Sequence, residues 1–237
     1  MDFLDLYSMI NKRKSHRDFD ETRKLDADTL KTLIASYDCL VLSGEKPSVE
    51  VVEAATTSCS RGDLCICYYG AKDEEGLLDA GYYLEQLDLF LQEEGIGVCW
   101  YGFGRTKTKK LDDKDFVIML NAGYAKKDSL RSDVSEFKRN DSSFWKGEFS
   151  SAVISDVRLA PSACNTQPWL VECKDNTLIV RRGKGNASIM VGKIKDYFNL
   201  IDMGIFLCFL DLSLKKHGYD FKRELLTDGA IARYTIV

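Results

Sequence analysis

Apolar positions along this chain follow two periods, one helical and one strand-like. Phe3, Leu4, Leu6, Tyr7 and Ile10 recur at helical spacing and predict a short amphipathic helix at the start. A second helix runs from Asp28 to about Tyr37, with Leu30, Leu33 and Ile34 facing inward. Val49–Ala54 and Leu64–Tyr69 are strand-like runs, the second ending at Gly70. A long helix follows from about Glu75 to Glu94, with Leu77, Ala80, Leu84, Leu87 and Leu91 on one face and Gly95 as its stop. Gly95–Gly102 leads into a short helix or loop, and Phe116–Leu120 is a strand closed by Asn121-Ala122-Gly123-Tyr124.

The polar segment from Ala125 to Lys138 lacks an apolar period and reads as a connection. Beyond it a helix covers about Glu148–Leu159. A hairpin follows, Trp169–Lys174 and Thr177–Arg182 around an Asp175-Asn176 turn. A helix from Lys195 to His217, a stop at Gly218 and strands at Arg223–Leu226 and Ala232–Val237 complete the chain.

The two long helices share more than leucines. Asp79, Gly81, Leu84, Leu87, Asp88, Leu89, Leu91 and Gly95 recur as Asp202, Gly204, Leu207, Leu210, Asp211, Leu212, Leu214 and Gly218, at a constant offset of 123. Leucines alone would mean only two core helices. The aspartates and glycines at one fixed offset point to duplication of an α+β unit. The expectation is an α+β, internally duplicated chain with halves at 1–130 and 131–237, packed as a pseudo-dimer. Gly81 and Gly204 would let the two helices cross closely.

Composition is that of a globular protein, with 45% hydrophobic and 30% charged residues in 237. A net charge of −4 gives no reason to expect a nucleic acid or an anionic membrane as partner. The N-terminus lacks an apolar signal core and no run reads as a bilayer span, so a soluble cytoplasmic protein is expected. Eight cysteines sit mostly in apolar runs, and reduced thiols are expected. Cys65 and Cys67 flank a single residue, and neither His16 nor His217 lies near them in sequence, so no metal site is expected.

Two motifs carry chemistry, one in each half. In an extended Arg13-x-Ser15-x-Arg17, alternate side chains share a face, and two guanidiniums flanking a hydroxyl suit a phosphate dianion. A solvated basic turn explains the same residues more plainly. The second motif is Leu159-Ala160-Pro161-Ser162-Ala163-Cys164-Asn165-Thr166-Gln167-Pro168-Trp169, which holds two of the chain's three prolines. Each proline fixes its own φ and pushes its neighbour toward extended geometry, so a stiff turn between helix and strand is the plain reading.

The string Ala160–Trp169 resembles the A-P-S-A-x-N-x-Q-P-W segment of the nitroreductase family of FMN enzymes. It is most similar to members that carry two trimmed copies of the fold in one chain. Arg13-x-Ser15-x-Arg17-x-Phe19 resembles that family's N-terminal R-x-S-x-R-x-F motif, and Gly95–Gly102 its G-L-G-x-x-W-x-G segment. The resemblance implies a nitroreductase-like fold with one FMN site between the halves and a second, degenerate one. It implies that Arg13, Lys14, Ser15 and Arg17 hold the phosphate and ribityl chain. Pro161, Ser162, Ala163, Asn165 and Gln167 would meet the ring or ribityl chain, and the backbone at Tyr101 and Gly102 would approach flavin N5. A helix cap followed by core aromatics accounts for Gly95–Gly102 equally well. Relatives place a further phosphate-contacting base after a Gly-Tyr-Pro; here Ala125 replaces the proline, leaving Lys126, Lys127 and Arg131 as candidates, and Arg131 is carried forward.

The function implied is an FMN-dependent oxidoreductase. It would pass electrons from NAD(P)H to a flat acceptor such as a nitroaromatic or quinone. No side chain stands out as an acid or base, because the flavin supplies the chemistry. A flavin-dependent reductive dehalogenase and a non-catalytic flavin-binding protein are the alternatives. A small-molecule substrate is the partner and a monomer the expected state, further association being possible.

Overall fold

The computed structural model describes residues 2–227 and 229–237. The first apolar cluster forms a 3-10 helix, Phe3–Met9, that buries Leu6, Met9 and Ile10 and leaves Leu4 outside. The three-residue period carries Leu4 off the buried stripe that an α-helix would have given it. Helix α1 (Ala27–Ala35) starts at Asp26, whose carboxylate accepts from the Asp28 and Thr29 amides. Strands β1 (Ser48–Glu53) and β2 (Leu64–Gly70) follow. Helix α2 (Glu74–Glu93) is capped by Asp73 and ends at Gly95, whose φ of +78° suits glycine. Strand β3 (Ile96–Tyr101) occupies a stretch to which the sequence assigned no element, and it leads into a loop as expected. Its register on β5 sets Gly97 opposite Gly123, so small residues here serve close packing and not a turn.

A two-residue β4 (Lys110–Leu111) turns into β5 (Lys114–Tyr124), longer than the expected Phe116–Leu120 core. A short β6 (Trp145–Lys146) and helix α3 (Ser151–Val157) precede the proline motif; the helix is shorter at both ends than expected. Strands β7 (Trp169–Lys174) and β8 (Thr177–Arg182) form the expected hairpin, with Asp175 and Asn176 both at positive φ. Helix α4 (Gly192–Lys216) starts three residues before the expected Lys195, and β9 (Phe221–Leu225) and β10 (Ala232–Ile236) close the chain.

Two five-stranded sheets result. One has the order β1-β2-β5-β3 with β4 beside β5; the other runs β6-β7-β8-β10-β9. Strand β2 is buried along its whole length. Leu64, Ile66 and Tyr68 face the main core, while Cys65, Cys67 and Tyr69 form a second cluster with Cys59 and Met119. That second cluster absorbs the Cys65-Ile66-Cys67 pair, and burial pushes both thiols up to about 12.

Helices α2 and α4 cross at the centre. A Cβ on Gly81 would lie 1.9 Å from the Ile201 carbonyl oxygen, and one on Gly204 would lie 2.0 Å from that of Leu78. The backbones therefore touch, and neither position has room for a methyl group. Almost every face of α4 is enclosed, so its apolar character runs all round. This corrects the expectation that no run resembles a bilayer span. An 18-residue window in α4 reaches a mean hydropathy of 1.5, and 89% of it is buried inside the protein.

Gly81→Ala should therefore destabilise the fold by about 3 kcal/mol or more, read as a lower urea midpoint. Gly95→Ala is the contrast: its site is open but its φ is +78°, so only backbone strain of about 1 kcal/mol is expected. Equal losses in the two variants would mean that the crossing is not the constraint.

Candidate functional site

Two segments far apart in sequence wall one cleft. The first, Lys12–Phe19, is fastened along its length. The His16 amide donates to the Val98 carbonyl (2.9 Å) and the Lys14 amide to Gln92 Oε1 (3.1 Å). The His16 ring fills the space a Cβ on Gly97 would need, 2.9 Å from its Cγ. The second segment is the proline motif. Trp169 roots it in the core by stacking on Phe206, ring centroids 5.1 Å apart.

Ser15 and Arg17 meet Pro161, Ser162 and Cys164 at the junction of two connected spaces. One is an apolar cleft walled by Trp100, Phe103, Ile118, Met190, Phe198 and Ile201, with Gly102 at its edge. A Cβ on Gly102 would come 2.9 Å from the Phe198 ring, so glycine is needed there for the close approach. Phe103 is 61% exposed and meets Phe198 edge-on at 5.4 Å, forming an aromatic rim. The other space is a groove lined by Arg13, Lys14, Arg17, Arg131, Lys138 and Arg139, faced by two carboxylates, Asp18 and Glu136.

The cations of this groove are not equivalent. Arg13 is 1% exposed and held by Asp88 at 3.0 Å and Glu85 at 3.7 Å. Trp100 Nε1 donates to the same two acids, at 3.2 Å each. Burial, with Asp88 alongside, drives the Glu85 carboxyl well above its usual range; burial raises Asp88 as well, against the pull of Arg13. Arg131 donates to the Arg13 carbonyl and stacks over Phe137 at 4.0 Å. Arg139 donates to the Ala160 carbonyl (3.0 Å) and to Asn165 Oδ1 (3.0 Å), and no carboxylate among the described residues pairs with it. Burial, with Arg13 and Arg131 nearby, lowers its pKa to about 10. Arg17 is exposed and makes no hydrogen bond among the described residues.

The side-chain amides of the proline motif bond to the protein, Asn165 from the wall of the groove and Gln167 from behind it. Asn165 Nδ2 donates to the Lys138 carbonyl (3.0 Å), and Gln167 Oε1 accepts from the Asn140 amide (2.9 Å). Gln167 lies on the far side of the loop from the cleft, and its own amide donates to Ser162 Oγ at 2.9 Å. Tyr101 also points away, its hydroxyl donating to the Ser58 carbonyl at 3.1 Å, while Gly102 borders the cleft. Ala163 borders it too. Of the three bases after Tyr124, Arg131 lines the groove; Lys126 pairs with Asp18 and neither it nor Lys127 lines it. Sequence reasoning missed Lys138 and Arg139, which sit at the end of the polar connection with nothing to mark them. It also missed Phe103, Met190, Phe198 and Asp202 as cleft walls.

Residues 5–214 match the model of a family described as putative TM nitroreductase. The chain belongs to that family. Membership makes it an oxidoreductase of the nitroreductase group. Its fold is similar to the crystal structure of a putative nitroreductase from Thermotoga maritima, with a TM-score of 0.67 and 20% identity, covering 100% of this chain and 94% of that one. A search of curated proteins finds no match.

The groove supplies a pH dependence. Burial, helped by Lys14 and then Arg13, lowers the His16 pKa to about 4. The unfolded chain, near 6.5, takes up the proton first, so stability falls as pH drops from about 6.5 toward 4, by up to about 1.4 kcal/mol per unit. Wild type and His16→Gln, compared by urea unfolding at pH 7.5 and 4.5, should differ by roughly 2 kcal/mol less at the lower pH. A gap that does not change would mean that His16 is protonated in the fold.

Proposed function

We propose that the chain is an FMN-dependent oxidoreductase that takes electrons from NAD(P)H and passes them to a flat acceptor such as a nitroaromatic or quinone. The observation that carries this reading is the continuity of a groove rich in unpaired cations with an apolar, aromatic-rimmed cleft. An anionic tail and a planar ring on one molecule match the two spaces. A half-buried guanidinium bonded to carbonyls and an amide oxygen but to no carboxylate, as at Arg139, leaves its charge for an anion to balance. Gly102, which leaves no space for a Cβ against Phe198, fits a wall that a ring approaches closely.

In this reading Arg17, Arg131 and Arg139 hold the phosphate by charge-assisted hydrogen bonds, with Lys14 and Lys138 adding positive field. Ser15 and Ser162, at the junction, serve the polyol chain. Arg13, neutralised by Asp88, props the segment that presents Ser15 and Arg17. Asn165 and Gln167 hold the Pro161–Ala163 wall in place through Lys138, Arg139 and Asn140. Phe103, Phe198 and Met190 exclude water over the ring and offer an apolar seat for a flat acceptor. When bound, FMN supplies hydride uptake from the nicotinamide and electron delivery to the acceptor.

We also infer that 1–130 and 131–237 are copies of one unit. Support comes from paired details at the offset of 123. Ser43 Oγ donates to Asp79 as Thr166 Oγ1 does to Asp202, and Gly81 and Gly204 meet reciprocally. One chain then supplies what two subunits would, and a monomer is the working state.

The visible spectrum of the purified protein, before and after FMN addition and desalting, tests the function. Wild type should retain a flavin spectrum. Arg17→Ala should weaken FMN binding at least about tenfold, the cost of one charge-assisted hydrogen bond to phosphate. Because Arg17 makes no hydrogen bond or ion pair among the described residues, its loss reads ligand and not fold. No flavin retained by wild type in excess FMN would sink the proposal.

A further inference from the structure

One residue of the cleft wall has no part in the reading above. Asp202, on α4 two residues before the crossing glycine, is 2% exposed and lies under the proline motif. Its Oδ1 accepts from the Ala163 amide at 2.8 Å, and its Oδ2 lies 3.1 Å from Thr166 Oγ1. Thr166 Oγ1 is also 3.3 Å from Asn199 Oδ1. A hydroxyl has one proton to give, so it cannot donate to both acceptors. With a proton on Asp202 the chain closes: the carboxyl donates to Thr166, and Thr166 donates to Asn199.

The counterpart at the same offset differs. Asp79 receives the Leu42 amide, the Ser43 amide and the Ser43 hydroxyl, three donors where Asp202 has one and a shared second. No cation pairs with Asp202 among the described residues. The segment across the cleft presents Arg17, and the motif presents the Cys164 thiol. Helix α2 packs against this turn through Leu78, Gly81 and Tyr82, and the Tyr82 hydroxyl is committed to Asp211. Its own helix carries no charged group within a turn of it. Burial raises its pKa to about 7, against the pull of the Ala163 and Thr166 donors.

We propose that Asp202 is the redox-linked proton acceptor of this cleft, taking up a proton from solvent when the bound ring is reduced and releasing it when the electrons leave. The inference rests on the FMN reading. Hydride from NAD(P)H brings two electrons and one proton and adds one negative charge to the cleft. A carboxylate that becomes a carboxylic acid removes that charge. The acceptor then takes the hydride equivalent and a proton, so that NAD(P)H, acceptor and one proton give NAD(P)⁺ and reduced acceptor. Asp202 acts through its charge, without touching the reacting atoms.

The test is the midpoint potential of the FMN-loaded protein between pH 5.5 and 9, for wild type and Asp202→Asn. Wild type should fall more steeply above about pH 7, by one proton per two electrons, while Asp202→Asn keeps one slope and a higher potential at alkaline pH. Thr166→Val removes the hydroxyl that bonds to both forms of the Asp202 carboxyl and should move the break away from pH 7. Parallel lines for wild type and Asp202→Asn overturn the inference and leave the FMN reading standing. Should Asp202→Asn not fold, a break that Thr166→Val does not move overturns it equally. A wild-type protein that binds no FMN overturns both readings.

Discussion

Backbone contact between α2 and α4 is the constraint on which the rest of the structure depends. With no Cβ at Gly81 or Gly204, the helices cannot slide or separate without losing contact at their centre, so their register is fixed. Everything keyed to them inherits that register. Two residues before each glycine, Asp79 holds the Leu42-Ser43 loop and Asp202 holds Ala163 and Thr166. Seven residues after each, Asp88 holds Arg13, and Asp211 holds Arg223, Tyr82 and Tyr234. The cleft forms where one of these aspartates fixes the proline motif and another fixes the root of the Ser15–Arg17 segment.

The charges around that cleft are handled in two ways. Arg13, buried, and Arg223, half-buried, are held against carboxylates, which satisfies them inside the fold and makes them part of its framework. Arg139 has only carbonyls and an amide oxygen, and Arg17 and Arg131 have no carboxylate among the described residues. Arg131 and Arg139 are half-buried, and carbonyl and amide oxygens meet their hydrogen bonds without balancing their charge. The contrast between paired and unpaired guanidiniums in one groove therefore carries more functional content than the count of basic residues does.

The sequence showed some of this plainly and hid the rest for physical reasons. The Trp169–Arg182 hairpin was legible because Asp175-Asn176 tolerates the two positive-φ positions that a tight turn requires. The α2–α4 crossing was legible because glycine inside a leucine-rich helix has few other uses. Strand β3 was not, since its Gly97 serves the His16 ring and the Gly123 register, contacts made with distant segments. Asn165 and Gln167 stood out as a unit, but their partners Arg139 and Asn140 lie 26 and 27 residues away in a stretch with no period. Pairings of that kind leave no mark on local pattern. Asp202 was visible only as one of a repeated pair; its poverty of donors relative to Asp79 appears once both loops are in place.

The conformation of the motif loop gives these hydrogen bonds their purpose. Cys164, Asn165 and Gln167 all sit at positive φ without being glycine. Each such residue costs on the order of 1 kcal/mol, and a loop bearing three would relax if nothing held it. Arg139, Asn140 and Asp202 hold it from three directions, through side chain, backbone and buried carboxyl. The wall is thus built before any ligand arrives, and a ring entering the cleft need not order it. Preorganisation of this kind raises affinity by lowering the entropy lost on binding. It also makes the Asp202 contact consequential, because the carboxyl proposed to take up the redox-linked proton is one that holds the strained wall.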